Sequence, residues 1–251
     1  MIYFFCGAHK NASHFQMHIV DEALKQKDIA YRYITEDELK LYNFRRAQRF
    51  LAEIDRERNQ ISICKGHWGN KKQRDMLLSL PSVRVFIIWR HILDVMISAY
   101  YYEKNKFQKA YSDFDDFYRD IGRILFMQQL LYRRVWDPVS NHPRVHVVSF
   151  EALKEDFASN TLAMLQFAEI DGVSIADLEA EVSLERLREK QDDPEGKFFR
   201  KGRPGEFRSF QFSQVTLNDM SRLEHLSRKR LGMIVLLRLT ANRLGRMIRW
   251  N

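Results

Sequence analysis

Cysteine is scarce in this chain: Cys6 and Cys64 are the two in 251 residues, so at most one disulfide could form. That count excludes a secreted disulfide scaffold and suits a reducing compartment. Five prolines and ten glycines are too few for a collagen-like or low-complexity polymer. Long apolar runs are missing as well, since MIYFFCGA near the start and LGMIVLL near the end both fall short of the ~20 residues of a spanning helix. No basic region precedes the first run, which argues against a secretory signal and makes a cytoplasmic location the expectation. His, Cys and Asp do not cluster at metal-ligand spacing. Acidic residues are outnumbered, 33 against 41 Lys plus Arg, leaving a net charge of +8. Such a balance attracts nucleic acid, an acidic membrane surface or a multiply phosphorylated small molecule, or simply favours solubility.

What is present is the material of a folded core, with 45% hydrophobic and 29% charged residues. Short apolar runs predict strands over 2–6, 30–34, 61–64, 83–89 and 145–148. In the fourth, Val83, Val85, Phe86, Ile87, Ile88 and Trp89 leave so few polar positions that both faces must be covered. Helical periodicity fills most of the gaps: from Ala12 through Leu24, over 36–58, 93–102 and 113–136, from Glu151 to about Asp192, and over 216–231. The segment DDPEGKFFRKGRPGEF from Asp192 predicts a loop. Alternating strands and helices imply an α/β three-layer sandwich with a central parallel sheet flanked by helices. No repeat or linker divides the chain, so one domain over 1–251 is expected.

Four segments carry chemistry. After the first strand come Lys10, Asn11, Ala12, Ser13 and His14, a loop whose amides and helix dipole suit a phosphate, although it lacks the full G-x-x-x-x-G-K-[ST] signature. After the third come Lys65, Gly66 and His67, where a histidine beside a lysine could act as a base. Arg90 ends the fourth strand with Ser98 eight residues on, and its planar guanidinium suits bidentate phosphate binding, or else pairing with Asp94 between them. Finally, Arg200, Lys201 and Gly202 combine cations with a glycine that permits close backbone approach to an anion. Each has an ordinary structural explanation, but together they suit a ligand with more than one phosphate.

These blocks resemble the sulfotransferases that use 3′-phosphoadenosine 5′-phosphosulfate (PAPS). FFRKGRPGEFRSF matches that family's arginine-lysine-glycine loop, Lys10 to Phe15 its K-S-G-T-T-W loop, and Lys65 to His67 its K-T-H segment. Arg90, Asp94, Val95 and Ser98 match R-x-x-x-D-V-x-x-S, and VVSFEALKEDF resembles its strand and following helix start. The order and spacing agree from about residue 2 to residue 232. The departures are Ala12 for a glycine, His9 and Ile92 for prolines, His14 for a threonine, and Phe150 for a tyrosine.

The resemblance implies a P-loop NTPase-like sulfotransferase fold, PAPS as donor, 3′,5′-adenosine bisphosphate (PAP) as product, and no metal. It implies that Lys10, Asn11, Ala12, Ser13 and His14 cradle the 5′-phosphosulfate, and that Phe15 and Leu184 sit where the family stacks aromatics on adenine. Arg90, Ser98, Arg200, Lys201 and Gly202 would hold the 3′-phosphate. Lys10 would neutralise the departing phosphate oxygen, His67 would serve as base with Lys65 assisting, and His14 is an alternative base. The acceptor would be a hydroxyl on a carbohydrate, glycolipid or similar small molecule, seated by 44–58, 68–76 and 100–117; nucleic acid is not expected. A basic amphipathic helix over 234–251 would lie on an anionic membrane, including the inner membrane face, or pack on the domain or on a second copy in a homodimer. A P-loop-type phosphotransferase and a noncatalytic nucleotide-fold binding module are the alternatives.

Overall fold

The computed structural model describes residues 1–35, 37–39, 44–57, 60–190 and 192–228. Five strands, β1 (Ile2–Cys6), β2 (Tyr31–Ile34), β3 (Ile61–Gly66), β4 (Val83–Trp89) and β5 (Val145–Ser149), form one parallel sheet in the order β2-β3-β1-β4-β5. β1 is central and buried along its whole length, which is why its sequence is an unbroken apolar run. Its side chains alternate between faces: Tyr3 and Phe5 join Phe86 and Ile88 on one, while Ile2, Phe4 and Cys6 join Val85 and Ile87 on the other.

Helices cover both faces, as a parallel sheet requires. The first face packs against α1 (Ser13–Gln26), α7 (Phe150–Glu155), α8 (Phe157–Ala168), α9 (Ile175–Glu181) and α10 (Leu184–Lys190). The second packs against α2 (Phe44–Glu57), α3 (Lys71–Ser79) and α6 (Arg123–Trp136). A further cluster joins α4 (Ile92–Lys106), α5 (Phe114–Phe117), α6 and α11 (Gln214–Arg228) around Met96, Tyr100, Phe117 and Met220.

Three helical expectations differ in detail: within 36–58, residues 37–39 form a turn and α2 starts at Phe44. The segment 113–136 is α5, a π-helical turn over Tyr118–Gly122, then α6. At Gly122 the Phe117 ring lies so close that a Cβ would come within 2.8 Å of it. The stretch from Glu151 to Asp192 is four helices, because Asp156 and Ser174 each cap a new start with a side-chain oxygen. The helix expected over 234–251 lies outside the described residues, and among those described no helix is long and apolar enough to cross a membrane. No group of His, Cys, Asp or Glu among them could hold a metal ion.

Because β1 is central, β3 pairs on one side of it and β4 on the other. The loops leaving the carboxyl ends of these three strands therefore converge, which is where open α/β sheets bind ligands.

Candidate donor and acceptor pocket

The loop from Gly7 to Ala12 turns sharply. Gly7 faces Ser13, whose Cβ would lie 3.0 Å from any Cβ added there, so glycine lets the loop fold back closely on the start of α1. Lys10 (φ 65°) and Ala12 (φ 67°) adopt the left-handed region, a conformation costing non-glycine residues roughly 1 kcal/mol or more. Burial accounts for how the loop is held: the Asn11 side chain is 2% exposed and its amide donates to Gln129 Oε1 at 3.0 Å. Gln129 in turn donates to the His9 carbonyl at 2.8 Å. No side chain caps α1, whereas α3, α7, α8 and α9 each have a capping oxygen. Its first amides thus open towards the loop as an anion-binding end.

One pocket of about 270 Å³ lies at this point. It is lined by Lys10, Ala12, Ser13, His14, Phe15, Lys65, His67, Arg90, Ser98, Leu184, Arg200, Lys201 and Gly202. These are all the site residues expected from sequence except Asn11, whose side chain faces the interior. The structure also adds His9, Tyr102, Phe150, Lys154, Val182, Leu187, Phe198 and Phe199 to the lining. Tyr102 and Lys154 had a legible signal, because each lies four residues beyond another lining residue, Ser98 and Phe150, on the same helix face. Among the described residues of the segments expected to seat the acceptor, none of 44–57 or 68–76 joins the lining, and Tyr102 is the one from 100–117 that does. Trp68 is 3% exposed and packs on Phe4 with ring centroids 4.7 Å apart, so its bulk serves the core.

The charged groups are held in distinct ways. His67 donates Nδ1–H to the Gly7 carbonyl, which fixes the tautomer and leaves Nε2 as its basic nitrogen. Burial, with Lys65 adding to it and the Gly7 bond opposing it, pushes His67 down to about 4. The His14 ring is pushed down to about 3, mainly by burial and then by Lys65, whose ammonium donates to His14 Nε2 at 2.6 Å. Lys10 is pushed down to about 7 by burial and by the nearby Arg90, Lys106 and Lys65, and its Nζ lies 3.7 Å over the Tyr102 ring and 4.5 Å over that of Phe198. Arg90 stacks 4.9 Å from the Phe150 ring, and its Nε is buried with no hydrogen-bond partner.

Arg200 and Lys201 share one counter-ion, Glu206. Burial would raise that carboxyl, but hydrogen bonds from Arg200 and Lys201 outweigh it and hold the group below the ordinary range. Gly202 has φ 61°, and a Cβ there would stand 3.2 Å from Leu184 Cδ1, so the loop lies directly on that apolar side chain. Leu184, Val182 and Leu187 give the pocket an aliphatic part of its wall, and Phe15, over whose ring Lys154 Nζ lies at 4.2 Å, lines it too. Asp94 does not pair with Arg90; its oxygens accept from the amides of Gly205 and Phe207.

The model of the sulfotransferase domain family matches residues 53–228, and the chain belongs to that family. Its chemistry is accordingly the transfer of a sulfuryl group. The fold is similar to that of mouse sulfotransferase SULT7A1 complexed with PAP, at a TM-score of 0.66 and 17% identity, over 93% of this chain and 87% of that one. It is also similar to retinol dehydratase in complex with androsterone and inactive cofactor PAP, at a TM-score of 0.67 and 14% identity, over 91% of this chain and 81% of that one. No curated protein sequence matches the chain.

Proposed function

We propose that the protein transfers the sulfuryl group of PAPS to a hydroxyl of a carbohydrate or related small molecule, with His67 as general base. The observation that carries this reading is the make-up of the pocket. Lys10, Lys65, Arg90, Arg200 and Lys201 reach it from four separate segments, and no Asp or Glu belongs to its described lining. Such a cavity calls for a ligand with several negative charges. Arg90 gives a more specific sign, because a buried Nε–H without a partner is costly until an anionic oxygen accepts from it. The PAP bound in the two neighbouring structures supports the same ligand class.

Within this reading, bound PAPS supplies an activated sulfuryl group and a phosphate leaving group. The amides of Lys10, Ala12, Ser13 and His14 and the Ser13 hydroxyl would hold the phosphosulfate, while Asn11, whose amide donates to the Ala8 carbonyl at 3.3 Å and whose side chain donates to Gln129, would shape the loop. Arg90, Ser98, Arg200, Lys201 and the Gly202 amide would hold the 3′-phosphate. Phe15, Phe150 and Leu184 would bound the base by apolar contact. Protonated Lys10 would neutralise charge on the departing oxygen. His67 Nε2 would take the acceptor proton, while the Gly7 carbonyl holds the ring and keeps the correct nitrogen free. The engagement of His14 Nε2 by Lys65 favours His67 over His14 in that role.

At the mouth, Tyr102, Phe107 and Phe198 form a ring cluster with Lys106 5.3 Å over Tyr102. Aromatic platforms beside cations suit sugar rings that bear acidic groups. The test is PAP formation from PAPS with a panel of carbohydrate and phenolic hydroxyl acceptors, in wild type, H67A and H14A. Turnover with carbohydrates that survives H14A better than H67A is expected. Full turnover in H67A would move the base elsewhere, and turnover confined to phenols would overturn the acceptor class.

A further inference from the structure

Asp94 is 1% exposed in the first turn of α4, four residues after Arg90 just past the end of β4 and one helical turn before Ser98. A carboxylate so placed needs strong partners. Its Oδ2 accepts from the Gly205 amide at 2.6 Å and its Oδ1 from the Phe207 amide at 2.9 Å. Those amides flank Glu206, whose carboxylate receives both ends of the Arg200 guanidinium and the Lys201 ammonium. The same turn is held a second time, by Phe207 stacked on His91 with centroids 3.8 Å apart and planes 10° apart. The Arg200 guanidinium also rests 4.2 Å over the ring of Tyr101, another residue of α4.

We infer that Asp94 is a positioning residue that joins the two arms of the 3′-phosphate site, the Arg90–Ser98 arm and the Arg200–Gly202 arm. The inference rests on the donor reading above. The contacts run without a gap from α4 through the 205–207 turn to Glu206 and on to Arg200 and Lys201. Long cationic side chains have much rotamer freedom to lose on binding an anion, and this frame removes most of it in advance. Asp94 acts through these neighbours, so its loss should weaken recognition of the 3′-phosphate while leaving the rest of the pocket intact.

The experiment is calorimetric titration of the full chain with PAP and with 5′-AMP, which lacks the 3′-phosphate, in wild type, D94N and F207A. Wild type should prefer PAP. In D94N, where the amide nitrogen cannot accept, that preference should fall at least tenfold while 5′-AMP affinity stays within about twofold. F207A, which removes the stacked anchor without touching Asp94, should shift the ratio the same way by a smaller factor, and it decides the matter should D94N not fold. Equal loss of both ligands, or an unchanged ratio in a folded variant of a PAP-preferring protein, would overturn the inference alone. No preference in wild type would overturn the donor reading together with it.

Discussion

At the inner end of the pocket each cation-bearing segment is tied to the fold by directional bonds, whereas the mouth is built from rings and lysine stems. Inside, Asn11 and Gln129 brace the first loop, and Asp193 accepts from the amides of Lys197, Phe198 and Phe199. Arg188 donates to the carbonyls of Phe199 and Arg200, fixing the same loop from the other side. At the mouth, Phe107 is 53% exposed and meets Tyr102 edge-on, and Lys106 lies over rings rather than against carboxylates. Hydrogen bonds hold the loop backbones in one arrangement, while an exposed ring such as Phe107, met edge-on by Tyr102, has room to shift. On the function proposed above, the contrast would separate a fixed donor end from a permissive acceptor end.

The largest effect that sharpens this contrast should come from H67A in the pocket wall. Its kcat should fall by about 10² to 10⁴, the usual worth of a general base, with PAP affinity unchanged. A matching loss of PAP affinity would break the division. R90Q acts on the donor end alone and should weaken PAP by roughly 10- to 100-fold, since it removes a buried charged donor; titration of the variant would show it.

The pH profile tests how the two ends work together. His67 must be neutral to accept a proton, so kcat/KM should rise with pH through about 4. Lys10 must be protonated to neutralise the leaving oxygen, so activity should decline as pH passes about 7, and saturating donor, by adding negative charge nearby, should move that limb upward. A smaller effect is expected at Ala12. With φ at 67°, A12G should stabilise the protein by up to about 1 kcal/mol in urea unfolding, less the extra freedom glycine gains when unfolded. The smallest should come from F107A at the mouth, a few-fold rise in acceptor KM with donor affinity untouched.

Much of the inner end was legible in sequence, because strand ends, a loop with Lys10 and Ser13, and the Arg200–Gly202 segment are local features. The parallel sheet was legible too, since β1 and β4 are continuous apolar runs. What local patterns do not carry is pairing between distant residues. Nothing in the residues around Asp94 points to Gly205 and Phe207, more than 100 positions away. The segments 44–58 and 68–76 were expected at the acceptor from the resemblance, and a side chain reads the same in sequence whether it packs or binds; Ala47, Leu51 and Trp68 pack under the sheet. The break at Tyr118–Gly122 was hidden because apolar spacing continues across it.

The most direct test of the account is thermal unfolding in the presence of PAP, ADP or 5′-AMP. At about 100 times its Kd, PAP should add roughly 2.7 kcal/mol, a rise of about 5 to 10 °C in Tm, while ADP and 5′-AMP at the same concentration do far less. Equal stabilisation by ADP would contradict the account, because the site would then be reading a nucleotide without its 3′-phosphate.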